Sequence, residues 1–191
     1  MGAMPATHER MTAEEYLALP EQPNERRHEL IEGEVVVNEP TWLHGTVRGG
    51  LHFGLEAWVR GAPGRGAVND PIDVLVDDRN VFGPDVVWYR DDRVPGLHDP
   101  RPYAMPDLVA EVRSPSTWRF DIGTKKAAYE RHGLGELWLA DTAASVLLVF
   151  RGSAPERPGF DEALELTRGD LLSSPRLRGF ELPLDELFGG G

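Results

Sequence analysis

The sequence predicts a mixed α/β fold, in which a mixed β-sheet is flanked by helices. Short β-branched segments alternate with helical stretches along 191 residues, a length that suits one domain. The hydrophobic content of 40% is enough to build a full core. No internal repeat or long linker divides the chain. We therefore expect one domain over residues 11–188, after a flexible N-terminal segment of residues 1–10.

The first third of the chain predicts a short helix, a β-hairpin and a long helix. Thr12 and Glu15 have the spacing of a capping box, which predicts a helix over about residues 13–19. Residues 27–37 predict an N-terminal β-hairpin that turns at an adjacent Glu-Gly pair. Residues 42–60 predict one long helix, because apolar side chains recur there every four positions. Those side chains are Leu43, Val47, Leu51, Leu55 and Val59.

The middle of the chain predicts strands that are separated by turn residues. Three short β-branched segments, at residues 67–69, 72–76 and 85–89, alternate with Pro, Asp and Gly. A loop rich in Pro, Asp and Arg follows, over about residues 90–105. Residues 107–113 then predict a further strand, which a Ser-Pro pair ends.

The last third predicts one helix and then strands. Residues 117–132 predict a helix that Gly133 ends. Residues 136–140 and 145–151 predict an antiparallel pair of strands. The remaining signals are a weak strand near residues 162–167 and a terminal helical turn at 184–188.

The composition excludes several classes of protein and site. The chain has no cysteine, which excludes disulfides, thiolate metal sites and a cysteine nucleophile, and which suits a reducing cytoplasm. No apolar run approaches the roughly 18–20 residues of a membrane span. A glycine-rich phosphate loop and a nucleophile elbow are also absent from the sequence. We expect a soluble cytoplasmic protein with no membrane partner.

The formal net charge of −12 opposes one class of partner. Nucleic-acid binding depends on phosphate neutralisation by Lys and Arg, so a binding surface is usually basic. Metal-dependent nucleases gather carboxylates at the active site, which reconciles some acidity with a nucleic-acid substrate. The charge therefore argues against tight, non-specific binding.

Two acidic residues stand at the start of, or inside, apolar strands. Asp85 opens a Val-Val-Trp-Tyr segment, and Glu111 lies within Leu-Val-Ala-Glu-Val. Such a carboxylate is costly to bury unless it is paired, hydrogen-bonded or bound to metal. On neighbouring strands the two could hold Mg²⁺, which favours one or two carboxylates with waters and phosphate. Each could instead meet an arginine or a backbone N–H group at a sheet end.

Other acidic residues compete for the same role. Asp107 follows a second proline, but it lies four residues from Glu111 on one strand, roughly 13 Å away at about 3.3 Å per residue. The two could not easily bind one ion, whereas Asp85 can lie beside Glu111. Glu29, in the hairpin, is a candidate third acidic group, and Asp73 is a weaker one.

Lysine is almost absent from the chain. Of the 20 basic residues, two are lysines, and these are the adjacent Lys125 and Lys126. One position could require a compact ammonium, which a planar guanidinium does not replace, or the pair could be a chance survival on the surface. Lys125 could direct its ammonium toward the strand ends. It could instead form an exposed i,i+4 ion pair with Asp121.

Two further residues are candidate substrate contacts. Arg113 lies two positions after Glu111 and can neutralise a phosphate, but it cannot readily give up a proton. His44 is the second candidate, although a capping or surface role is favoured for it. The histidines show no close zinc-type spacing.

Several motifs occur in a characteristic order from residue 11 to residue 188. They are Met11–Tyr16 (MTAEEY), His28–Glu34 (HELIEGE), Gly83–Val87 (GPDVV), Pro106–Thr117 (PDLVAEVRSPST), Asp121–Lys125 (DIGTK) and Glu136–Asp141 (ELWLAD). Together they resemble a large bacterial family of restriction endonucleases in the PD-(D/E)xK nuclease superfamily.

The resemblance implies a restriction-endonuclease-like core with Mg²⁺ or Mn²⁺ at the sheet edge. It assigns Asp85 and Glu111 as metal ligands, Lys125 as a lysine displaced from the strand to the helix, and Glu29 as an added acidic residue. Arg113 departs from the lysine that the superfamily usually has there. The implied activity is hydrolysis of phosphodiester bonds in nucleic acid, DNA above all, and the implied assembly is a homodimer.

Two other functions stay open. A nuclease-fold protein that no longer cuts could serve as a binding or regulatory module, which the acidity and the arginine at position 113 favour. A hydrolase for another phosphate ester would differ in its substrate rather than in its site.

Overall fold

Twelve strands and five helices appear in the computed structural model, which describes residues 10–20, 27–153 and 159–189. The strands are β1 (His28–Ile31), β2 (Glu34–Val37), β3 (Ala67–Asn69), β4 (Val74–Asp77), β5 (Asn80–Phe82), β6 (Val86–Tyr89), β7 (Leu108–Val112), β8 (Glu136–Asp141), β9 (Val146–Arg151), β10 (Glu162–Leu166), β11 (Leu171–Ser173) and β12 (Glu181–Pro183). The helices are α1 (Ala13–Leu17), α2 (Trp42–Arg60), α3 (Trp118–Phe120), α4 (Lys126–Arg131) and α5 (Leu184–Phe188). Nine residues of the expected flexible N-terminal segment, residues 1–9, lie outside the described residues.

The central sheet has six strands in the order β10-β9-β8-β7-β6-β3. Strands β7 and β8 are parallel, and the other neighbouring pairs are antiparallel. The prediction of a mixed sheet flanked by helices is therefore confirmed. Strands β11 and β12 form a separate two-stranded sheet that was not predicted.

A second, four-stranded sheet has the order β2-β1-β5-β4 and contains the predicted hairpin. Glu32 and Gly33 at its turn have φ angles of 50° and 78°, the left-handed pair that a two-residue hairpin of type I′ requires. Strand β5 was not predicted, because three residues are too few to show a period. It pairs with β1 through Leu30 and Val81 and joins the hairpin to the rest of the chain.

The predicted helices are present, with small differences at their ends. The capping box of Thr12 and Glu15 is formed, and α1 ends at Leu17. Helix α2 has the predicted bounds, and Val47, Leu51 and Leu55 are fully buried. The buried apolar face of α2 begins later than predicted, because Leu43 is 50% exposed.

The central strands are buried on both faces. On one face, alternate residues such as Ala110 and Trp138 pack against α2 and α5. On the other face, Val109 and Leu139 pack against Tyr129 of α4 and Phe82 of β5. Within the described ranges, every helix is too short or too polar to cross a lipid bilayer.

Candidate active site

Four acidic side chains converge at one end of strands β6 and β7. They are Glu29, Asp85, Glu111 and Asp121, called here the carboxylate cluster, and each is between 2% and 5% exposed. They come from β1, from the residue before β6, from β7 and from the helical segment after β7. The fold therefore brings together residues that are far apart in sequence.

Strand register explains why Asp85 and Glu111 are neighbours. Val86 pairs with Ala110 across the antiparallel β6 and β7, so Asp85 lies opposite Glu111 at the next position. The Asp85 backbone N–H donates to Glu111 Oε2 at 3.4 Å. The N–H of Val112 donates to Asp85 Oδ2 at 2.8 Å. The two carboxylates predicted as a pair thus lie side by side.

Lys125 lies among three of the four carboxylates. Its Nζ is 2.7 Å from Glu111 Oε1 and 3.1 Å from Asp121 Oδ1. It also donates to both oxygens of Glu29, at 3.0 and 3.2 Å. The side chain is buried, so the prediction of an exposed Asp121–Lys125 pair is wrong. The pair exists, but it belongs to the cluster.

A π-helical turn at Asp121–Lys125 separates α3 from α4. Asp121, Lys125 and Tyr129 follow one another at intervals of four residues. In a regular helix of 3.6 residues per turn, residues eight positions apart point in directions that differ by about 80° around the helix axis. A π-helical turn bonds residue i to i+5 and is wider, so this rotation is reduced. All three side chains consequently reach the same cluster, and the predicted regular helix over residues 117–132 is corrected at this point.

Neutral donors hold the cluster from outside. The Tyr129 hydroxyl donates to Glu111 Oε1 at 2.8 Å, and the Gly83 N–H donates to Glu29 Oε1 at 2.5 Å. The Thr117 hydroxyl donates to Asp121 Oδ2 at 3.2 Å. Each of these three carboxylates therefore has a hydrogen-bond partner besides Lys125.

His44 contacts the fourth carboxylate. Its Nε2 lies 3.0 Å from Asp85 Oδ2, and both side chains are buried. Thr41 accepts a hydrogen bond from the His44 backbone N–H and caps α2 there. The favoured surface role for His44 is therefore wrong. Its role as a candidate substrate contact stays a prediction.

Burial and charge shift the proton affinities of the cluster. Burial raises the pKa of Glu111 to about 8 against the opposing effect of Lys125, and the other three carboxylates add to the rise. Burial likewise raises the pKa of Asp121 to about 6, again opposed by Lys125. Burial alone would lower the pKa of Lys125, but its three carboxylate neighbours hold that pKa well above its ordinary value. The Lys125 ammonium is therefore charged.

Several predicted candidates lie outside the cluster. Arg113 Nη1 donates to both oxygens of Asp141, at 2.9 and 3.1 Å, and its guanidinium stacks over Trp118. Asp107 accepts from Arg93 at 2.7 Å, as expected for a residue that does not join Glu111. The weaker acidic candidate, Asp73, accepts from Arg101 at 2.9 Å.

Sequence reasoning missed two members of the site, Asp121 and Tyr129. Asp121 was considered only as the exposed partner of Lys125, and Tyr129 was given no role in the site. Their common spacing of four around Lys125 was the available signal. The π-helical turn that gives this spacing its effect has no local signature in the sequence.

The donor set fits a hard divalent cation. Asp85 and Glu111 supply carboxylate oxygens, the ligands that Mg²⁺ binds in ones and twos with waters. Among the described residues, no three Asp, Glu or His side chains form a complete metal-ligand group. The Lys125 ammonium lies between three of the four carboxylates. The pair that remains for a divalent ion is Asp85 with Glu111.

Comparisons with known proteins identify a family and a shared fold. A family model, Uma2, described as "Putative restriction endonuclease", matches residues 13–185. The chain also resembles the crystal structure of "a putative nuclease belonging to DUF820" from Anabaena variabilis ATCC 29413, with a TM-score of 0.74. The two share 20% identity, over 94% of this chain and 98% of the other, a likeness that establishes a shared fold. Among curated proteins, none matches the chain.

Proposed function

The chain belongs to the Uma2 family, and from that membership we propose that it is a metal-dependent endonuclease that hydrolyses phosphodiester bonds in DNA. The observation that supports this proposal best is the buried Asp85–Glu111 pair, whose carboxylates lie side by side at one end of strands β6 and β7. A fold can host many functions, so we infer the function from the residues of the site.

The charge balance of the cluster favours a bound cation. Four carboxylates with one ammonium leave three negative charges if all are ionised. Ionised groups this deeply buried are costly unless they are paired, protonated or bound to metal. Mg²⁺ or Mn²⁺ would supply the missing positive charge. When bound, such an ion lowers the pKa of water and stabilises charge on phosphate oxygens.

The protein's own residues fix the two ligands. His44 and the Val112 N–H hold Asp85 through one oxygen, Oδ2. Tyr129 holds Glu111 through Oε1, which leaves Oε2 on the side of Asp85. Outer partners of this kind orient metal ligands, and their loss typically weakens metal binding about 10–100-fold. The proposed ligand oxygens are therefore Asp85 Oδ1 and Glu111 Oε2.

Arg113 is the proposed phosphate contact. It lies two residues after Glu111, and its side chain is 36% exposed while paired with Asp141. A guanidinium can bind phosphate in a bidentate manner. Because the net charge of the chain is −12, we expect this local contact to act without a broad basic surface. Substrate binding should accordingly be weak and salt-sensitive.

The net charge also favours a second candidate function, a nuclease-fold module that binds a partner without cutting. Calorimetry with Mn²⁺ separates the two functions. The endonuclease proposal expects saturable Mn²⁺ binding that Asp85→Asn removes. A module without catalysis should show no such binding.

Cleavage of supercoiled plasmid and of single-stranded DNA and RNA, with Mg²⁺ or Mn²⁺, tests the activity. Asp85→Asn and Glu111→Gln should abolish cleavage. Asp107→Asn is the matched control, because it alters the other Pro-Asp pair and contacts Arg93 instead of the cluster. Equal cleavage by all three variants would contradict the assignment of Asp85 and Glu111 as catalytic metal ligands.

A further inference from the structure

Lys125 has the surroundings of a bound cation rather than of a free catalytic amine. Its Nζ lies within 3.2 Å of four carboxylate oxygens, which belong to Glu29, Glu111 and Asp121. The residue is 1% exposed. An ammonium has three N–H donors, and three carboxylates lie at ion-pair distance from it. Its hydrogen bonds go to Glu29, and Glu111 and Asp121 add two further anionic groups at ion-pair distance.

The oxygens around this ammonium are held by other groups. Gly83 N–H fixes Glu29, the Tyr129 hydroxyl fixes Glu111, and the Thr117 hydroxyl fixes Asp121. These three donors belong to residues other than Lys125, so we expect them to hold the carboxylates when its side chain is shortened. The carboxylates of Glu29, Glu111 and Asp121 are called here the oxygen cage.

Glu111 links this cage to the proposed metal pair. Its Oε1 lies 2.7 Å from Lys125 Nζ, and its Oε2 accepts from the backbone of Asp85. With a metal ion bound at Asp85, this one carboxylate would contact two adjacent positive charges, an arrangement found in two-metal sites, whose ions lie about 3.5–4 Å apart. Here one of the two positions already contains an ammonium.

We propose that the Lys125 ammonium occupies a second cation position, formed by Glu29, Glu111 and Asp121, and that the protein consequently binds one divalent ion and not two. The single-ion part rests on the proposed function, whereas the cage itself does not. Removal of the ammonium should convert the cage into a divalent-metal site. A compact ammonium can be replaced by a compact cation, which explains why this position has a lysine in a chain whose other cations are almost all arginine.

Titration calorimetry with MnCl₂ alone tests the proposal, on the full chain and on Lys125→Ala. We expect one Mn²⁺ per chain for the unmodified protein and two for Lys125→Ala. Lys126→Ala is the matched control, because the neighbouring lysine lies over the rings of Phe150 and Phe160 and should leave the count at one. An unchanged count in Lys125→Ala, or two ions in the unmodified protein, would overturn the proposal.

Asp85→Asn separates this proposal from the endonuclease proposal. In the double variant Asp85→Asn/Lys125→Ala, one Mn²⁺ should remain, bound by the cage. If the unmodified protein binds no Mn²⁺ and Lys125→Ala binds one, the endonuclease proposal fails while the cage stands. If Asp85→Asn abolishes all Mn²⁺ binding, both in the otherwise unmodified protein and together with Lys125→Ala, the proposed cation position is wrong.

Folding gives an independent measurement, because Lys125→Ala leaves three carboxylates without their ammonium. Circular dichroism should show a variant of low stability without metal, with a melting temperature that rises steeply as Mn²⁺ is added, also in the Asp85→Asn background. A variant that stays unfolded with and without Mn²⁺ counts against the cage, since its oxygens would then depend on Lys125.

Discussion

Two buried glutamates on neighbouring parallel strands, Glu111 of β7 and Glu136 of β8, have opposite surroundings. Glu136 is fully buried and accepts hydrogen bonds from the Trp138 indole at 2.7 Å and from the Ser174 hydroxyl at 2.6 Å. Both donors are neutral, and one serves each oxygen. Burial raises the pKa of Glu136, and these two hydrogen bonds oppose the rise.

Glu111 lies on the opposite face of the sheet among other charges. Its neighbours include three carboxylates and the ammonium of Lys125, and its pKa reaches about 8. A buried carboxylate with a neutral donor for each oxygen stabilises the fold. Here it links the β11–β12 hairpin to the central sheet. A buried carboxylate among other carboxylates lacks sufficient positive charge, and this deficit distinguishes the candidate metal site.

The largest expected difference between the two glutamates concerns cleavage. Glu111→Gln should lower the rate by roughly 10³-fold or more, because loss of the cation removes several kcal/mol of transition-state stabilisation. Glu136→Gln should leave the rate within about threefold, since that residue is on the other face of the sheet. Initial rates of plasmid nicking in Mn²⁺ measure both. Similar losses in the two variants would mean that the two glutamates share a structural role.

The hydroxyl donors of the two glutamates give a smaller contrast. Tyr129→Phe removes the donor to Glu111, so we expect Mn²⁺ affinity to fall about 10–100-fold. Ser174→Ala removes the donor to Glu136 and should leave Mn²⁺ affinity unchanged. Calorimetric dissociation constants decide the matter, and an unchanged constant in Tyr129→Phe would exclude a positioning role for the tyrosine.

In metal-free protein, loss of Glu136 should lower the stability more than loss of the Glu111 charge. Glu136→Ala leaves Trp138 and Ser174 without an acceptor and opens a cavity, so the free energy of unfolding should fall by roughly 2–4 kcal/mol. Glu111→Gln removes charge from a site with an excess of it and should raise the melting temperature at pH 9. Urea and thermal unfolding in chelator measure both effects. A destabilised Glu111→Gln protein at pH 9 would contradict the charge argument.

The pH dependence of stability follows from the same deficit. The folded pKa of Glu111 is about 8, against an ordinary value of 4.5, and that of Asp121 is about 6, against 3.8. Because both are raised, their contribution is present below the ordinary values and is lost as pH rises through the folded ones. The melting temperature of metal-free protein should therefore fall between about pH 4 and pH 8. Glu111→Gln should remove the part of this fall above about pH 6, and an unaltered profile would refute the assignment.

Local patterns predicted most of the fold. Apolar residues at intervals of four predicted α2, and its bounds match the prediction. The Glu-Gly turn likewise defined the hairpin. Strand β5 and the β11–β12 hairpin were missed, because strands of three residues are too short to show a period.

The site was predictable only in part, for a physical reason. Asp85 and Glu111 were found because a carboxylate in an apolar strand is unusual. Glu136 begins an equally apolar strand, and the residues that satisfy it include Ser174, 38 positions away. The chemistry of a buried carboxylate depends on such remote partners, as it does for Lys125 and Glu29, which lie 96 positions apart.

Anomalous diffraction from crystals soaked in MnCl₂ tests the central claim most directly. We expect one Mn²⁺ peak, bound by the carboxylates of Asp85 and Glu111. Lys125 should still contact Glu29, and no peak should lie at Glu136. Absence of a peak at the carboxylate cluster, at saturating Mn²⁺ and alkaline pH, would contradict the claim.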